Sequence, residues 1–172
     1  MTASTRPILG SSCARATTAA EMRYRIDRPI RGRRGARIIG LDAGADAIVE
    51  RISHEEWGHA RFLTLDGSAG DTGPLGSGSV ELRATDGGAS SLLAELEEAD
   101  VVIMVATVDS DAAAATIIGA ACTVRAIMTA GLVIGDPSLV GGTVAVLRPH
   151  ARVLMVSNDE RDAIDLLTAL RA

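Results

Sequence analysis

Val101-Val102-Ile103-Met104-Val105 are five consecutive apolar residues. A strand with one wet face alternates apolar and polar side chains. An unbroken run predicts a strand buried on both sides. Downstream, an alanine-rich segment from about Ala112 to Arg125 predicts a helix, and Ile127 to Ile134 repeats the continuous apolar pattern. Strand, helix, strand, with both strands dry on two faces, is the repeating unit of a parallel sheet covered by helices.

The same rhythm extends in both directions. Towards the C-terminus, Gly135-Asp136-Pro137 breaks the second strand, Leu139–Leu147 is apolar and partly helical, and Val153–Val156 predicts a last strand. Asn158-Asp159 then leads into a helix with Ala163, Leu166, Leu167 and Leu170 facing inward. Towards the N-terminus, Ser90 or Ser91 caps a short helix through Leu92, Leu93 and Leu96, with Glu95, Glu97 and Glu98 expected on the wet side. Val80–Ala84 predicts a short edge strand, and residues 67–78, rich in glycine and serine, predict a loop. Ala60–Leu65 predicts a further strand. Arg37-Ile38-Ile39-Gly40-Leu41 predicts the first strand, followed by an Asp/Gly loop over residues 42–46 and a helix from Ala47. The expected fold is α/β: a three-layer, doubly wound, mostly parallel sheet of Rossmann type. Any site should lie at the carboxyl ends of the strands, where strand order reverses.

Composition narrows the chemistry. Apolar residues make up 47 % of the 172, but only Tyr24, Trp57 and Phe62 are aromatic, so the core is aliphatic and offers few rings for stacking bases. All 17 basic residues are arginine; with no lysine there is no P-loop lysine and no Schiff-base nucleophile. Residues 1–37 hold nine Arg against Glu21 and Asp27 (+7), and residues 38–172 hold eight Arg against twenty acids (−12), summing to the net −5. Residues 1–35 therefore read as an Arg-rich flexible arm preceding a domain of residues 36–172. That arm is the one place where nucleic acid or an acidic partner is expected to bind. Cys13 and Cys122 predict neither a disulfide framework nor a zinc site, and His54, His59 and His150 are too scattered for a ligand set. With no apolar leader and no long uncharged span, no membrane association and a cytoplasmic location are expected.

From Arg37 onward the order of segments resembles the nucleotide-binding half of FtsZ, the bacterial relative of tubulin. Ile38-Ile39-Gly40-Leu41 matches the opening strand, Val49-Glu50-Arg51-Ile52 the first helix, and Ala60–Leu65 the second strand. Glu98-Ala99-Asp100-Val101-Val102-Ile103 is similar to the strand before that family's signature loop. Met128–Val133 and Val153–Asp159 are similar to the two strands after it. The resemblance covers residues 36–160. It implies a GTP-binding scaffold, with the phosphates held by two glycine loops and a second domain that completes hydrolysis.

Both loops depart from the family's pattern. Where it has nearly pure glycine, this chain has Asp42, Ala43, Ala45, Asp46 and Ala47, keeping only Gly40 and Gly44. Where it has Gly-Gly-Gly-Thr-Gly-Thr-Gly, this chain reads Ala106-Thr107-Val108-Asp109-Ser110-Asp111, without glycine. Glycine lets backbone N–H groups approach phosphate, whereas carboxylates repel it.

Asp42, Asp46, Asp109 and Asp111 are expected to cluster at the switch point. Asp46, with Asp109 or Asp111, would cap helices; alternatively the four would bind a divalent cation. Gly40, Gly44 and Asn158 are the remaining candidates for ligand contact, and Asp66 stands where a dinucleotide-binding fold carries its ribose-binding acid. The functional expectation is a non-hydrolysing pseudo-GTPase that works by binding, as a homodimer or with another protein partner. The alternative is a small enzyme, or enzyme subunit, using the acidic cluster for a metal or small ligand. No cofactor is assigned; a nucleotide is compatible with the fold but disfavoured by the loops.

Overall fold

The computed structural model describes residues 35–67 and 80–169, all within a compact unit spanning Arg33–Ala172. The expected arm and most of the Gly/Ser-rich loop lie outside the described residues. The elements run β1 (Ala36–Gly40), α1 (Ala43–Ser53), β2 (Ala60–Leu65), β3 (Glu81–Ala84), β4 (Ala89–Ser91), α2 (Leu92–Glu97), β5 (Val101–Ala106), α3 (Ala112–Val124), β6 (Met128–Ile134), α4 (Gly141–Leu147), β7 (Val153–Ser157) and α5 (Arg161–Ala169).

One seven-stranded sheet has the order β4-β3-β2-β1-β5-β6-β7. The five strands from β2 to β7 are parallel, and β3 and β4 add antiparallel to the β2 side. The expected doubly wound α/β sheet is therefore present, with one addition. Val80–Ala84 is not an edge, because β4 pairs with β3 through Glu81–Ser91, Leu82–Ser90 and Arg83–Ala89. Three residues containing two serines carry too little apolar periodicity to announce a strand.

Burial on both faces makes three layers. On one face, Leu92 and Leu96 of α2, Ala114 to Cys122 of α3 and Leu147 of α4 pack against Ile39, Leu63, Val102 and Met104. On the other, Ala45, Ile48, Val49 and Ile52 of α1 and Ala163 and Leu167 of α5 pack against Ile38, Phe62, Ile103, Val105 and Leu132. Successive residues of β1 and β5 thus serve opposite layers, which is why their sequences show no polar alternation. Trp57 closes the end of α1, giving its indole N–H to Ile52 O at 2.8 Å and tilting against Phe62 at 5.8 Å between ring centres.

Arg37 is an exception within this apolar frame. It is 5 % exposed, and its Nε lies 2.8 Å from Oε2 of Glu95, which is 4 % exposed. Ser90 Oγ donates to the other Glu95 oxygen at 2.7 Å, and Arg61 approaches that oxygen at 3.4 Å. Glu95 is thus not on the wet side of α2, as its acidic neighbours suggested. It turns inward because a strand buried on both faces leaves the Arg37 charge no route to water.

Candidate functional site

The chain passes from one side of β1 to the other between β2 and β5, so strand order reverses between β1 and β5. The loops leaving the carboxyl ends of these two strands, residues 41–42 and 107–111, meet there. Leu41 N–H donates to Val105 O at 2.9 Å and Asp111 N–H donates to Leu41 O at 3.0 Å.

Asp42 organises the junction. It is the N-cap of α1, and its Oδ1 accepts the Ala45 N–H at 2.8 Å. The same oxygen accepts the Thr107 hydroxyl at 2.6 Å, and Oδ2 accepts the Thr107 N–H at 2.7 Å. One carboxylate thus gathers a helix-terminal amide, a loop amide and a hydroxyl. A fold of this type offers a bound phosphate the same kinds of donor. The helix begins at Ala43, four residues earlier than expected. Because Asp42 satisfies the amide three residues on, what reads as an Asp/Gly loop becomes the first helical turn.

The two retained glycines have local reasons. A Cβ on Gly40 would stand 2.2 Å from Asp46 Oδ1, and one on Gly44 would stand 2.6 Å from Thr107 Oγ1. Both glycines make room for this chain's own polar side chains.

Asp46 does not cap α1; it lies inside the first turn, and its Oδ1 is buried without a hydrogen-bond partner. Burial, and secondarily the nearby Asp42 charge, push its carboxyl up to about 6. The folded-state pKa lies above the unfolded one, so the native state binds the extra proton. Stability from this group is present below about pH 4 and is lost as pH rises through 6. Asp46→Asn should therefore stabilise the domain at pH 7 by about 1 kcal/mol, the two-unit shift being discounted for partial solvent screening. The gain should fade at pH 4, and urea titrations of both proteins at the two pH values would show it. A gain independent of pH would contradict the assignment.

The remaining candidates separate. Asp111 caps α3, its Oδ1 accepting Ala113 and Ala114 N–H at 2.9 Å each, while Asp109 is exposed in the preceding loop. Asp66 forms a two-oxygen pair with Arg83 Nη2 at 3.0 and 2.9 Å, so its carboxylate is committed to the β2–β3 ladder. Asn158 is exposed beyond β7; the adjacent Asp159 Oδ1 accepts Arg161 N–H at 2.9 Å at the start of α5. Among the described residues, no three His, Cys, Asp or Glu side chains are grouped so as to hold a metal ion. The four aspartates do not form a common ligand set.

Thr107 and Arg37 are the residues that sequence reasoning missed. A threonine is unremarked in a polar loop, since its partner lies 65 positions away. Arg37 did carry a signal: a charge inside an otherwise apolar strand calls for a buried counter-charge.

At the opposite end of the sheet, a pocket of about 170 Å³ is lined by residues including Thr123, Thr129, His150 and Arg152. His150 packs over Gly119, where a Cβ would stand 2.6 Å from its own. Thr116 Oγ1 donates to Ala112 O at 2.8 Å and lies 3.3 Å from His150 Nε2. Burial holds the imidazole pKa below its usual value.

Among the described residues, no helix is long and apolar enough to cross a membrane. In comparisons with known proteins, the chain matches no family model, no curated protein and no solved structure.

Proposed function

We propose that this protein is a non-hydrolysing domain of FtsZ-like descent, a pseudo-GTPase that acts by binding and by self-association. One observation carries the reading. At the switch point, where a phosphate would be cradled, the Asp42 carboxylate takes the Ala45 N–H, the Thr107 N–H and the Thr107 hydroxyl. An internal anion held by three donors both fills the cradle and repels a second anion. The crevice is retained as architecture, and the activity moves to the surface.

The test is a thermal-shift screen of the full chain against GTP, GDP, ATP, NAD(P), Mg²⁺, Ca²⁺ and Mn²⁺. A ligand at about 100 times its dissociation constant adds roughly 2.7 kcal/mol, which a melting curve resolves. The expected result is no shift with any nucleotide. A clear shift with GTP or GDP would overturn the reading.

A second reading, that of a small enzyme using the acidic residues, has one observation in its favour: Asp46 titrates near 6 with an unpartnered oxygen. That oxygen faces Gly40 of β1, however, and not an open cleft. A shift with a divalent cation in the same screen would promote this reading.

A further inference from the structure

A second domain of the kind that the FtsZ resemblance implies would cover the apolar segments Leu132–Ile134 and Leu139–Leu147, which makes them the first candidates for a self-association surface. The domain's own layers already bury Leu132, Val133, Ile134, Val140 and Leu147, although Leu139 is exposed. If the protein self-associates, the contact lies elsewhere, and the two edges of the sheet differ sharply.

One edge, β4, is three residues long, contains two serines and runs directly into α2, with Ser90 committed to Glu95. Short polar edges of this kind resist pairing with another chain. The other edge, β7, is Val153-Leu154-Met155-Val156-Ser157, without proline, glycine or charge. Among the described residues it pairs with β6 alone. Val153 is 53 % and Val156 38 % exposed, and alternation sends them to opposite faces, so both sides of this edge present apolar surface to water. Gly135 N–H donates to Ser157 O at 2.8 Å, in register with the pairing of Ile134 and Ser157, so Ser157 faces β6 and alternation turns the N–H groups of Leu154 and Val156 outward.

Charge decides what fits there. Exposed Arg152 stands at the amino end of β7 and exposed Asp159 just beyond its carboxyl end. A second β7 laid antiparallel brings each Arg152 to the other copy's acidic end; a parallel one sets like charges together. We propose that β7 is an interaction surface for a second copy of this chain, joined antiparallel about a two-fold axis into one continuous fourteen-stranded sheet, twice the seven of one copy. The arrangement is self-complementary and closed. It rests on the self-association proposed above and names the surface for it.

Sedimentation velocity of the full chain at micromolar concentration tests it, using Val153→Lys, Arg152→Glu, Asp159→Arg and the combined reversal R152E/D159R. Circular dichroism checks that each variant is folded. The wild type should be a dimer. Val153→Lys, which adds a charge at an exposed edge position, should be a monomer. Each single reversal should weaken the dimer roughly tenfold, and the combined reversal should restore it. A wild-type dimer unaffected by all of these would overturn β7 as the surface while leaving self-association standing. A wild-type monomer would overturn both. A monomer with the Leu154 and Val156 amides protected from hydrogen exchange would further assign the edge to another segment of the same chain.

Discussion

Replacing Glu95 with alanine should cost the domain about 3–5 kcal/mol, because it strands the Arg37 guanidinium in an apolar layer without a counter-charge. Arg37 and Glu95 are 5 % and 4 % exposed, and their 2.8 Å pair is completed by Ser90 and Arg61. In a domain of this size that loss should lower the melting temperature by roughly 10–15 °C. Substituting both partners with apolar residues, Arg37→Met with Glu95→Leu, should recover most of it, since no charge is then left buried. Urea titrations of the two proteins separate the cost of an orphaned charge from the worth of the pair. Equal losses in both would mean that the ion pair itself, and not the stranded arginine, supports the fold.

Asp42→Ala should be nearly as damaging, at about 2–4 kcal/mol, since it removes a helix cap and leaves two amides and a hydroxyl without their acceptor. Asp109→Ala, in an exposed position of the same loop pair, should change little. The stronger expectation concerns rescue. If Asp42 occupies a former phosphate position, its removal leaves three donors pointing at one point, and inorganic phosphate should raise the melting temperature of Asp42→Ala more than that of the wild type. An equal response in both would mean that the donors relax once the carboxylate is gone, and would remove the support for an internal phosphate mimic.

The contrast between fold and site explains what the sequence made legible. β2 was read to the residue and β5, α3 and β6 to within one, because continuous apolar runs and an alanine-rich helix report burial directly. β4 was not legible, since three residues of which two are serine derive their strand conformation from β3 rather than from their own pattern. At the site, the residues facing the switch point could be named, but their roles could not. Asp42 and Asp46 are both aspartates near one helix start, and only the actual start decides which one caps and which is left buried. The assignment depends on Thr107, whose amide and hydroxyl arrive from the loop after the neighbouring strand β5, 65 positions away. Local pattern carries no information about such a partner. For Glu95 the sequence actively misled, because its acidic neighbours at 97 and 98 suggest a solvated face. The decisive cue was the arginine in β1.

The place of β1 has a consequence for how the protein is made. This strand is translated before every other part of the sheet, yet it lies in the middle, and its register sets Ala36 opposite Val101. Gly35 and Asp100, just before that pair, are likewise joined across 65 positions. At about 5–20 residues per second, the ribosome needs on the order of 3–13 s to deliver the second neighbour after the first strand has emerged. Through that interval a nascent chain can form only the part of the sheet from β1 to β4 with α1 and α2, with one side of Ile38 and Ile39 still open. The domain's centre is thus completed late, and a growing polypeptide is at its most vulnerable to chaperone capture or misassociation before residue 106 has emerged.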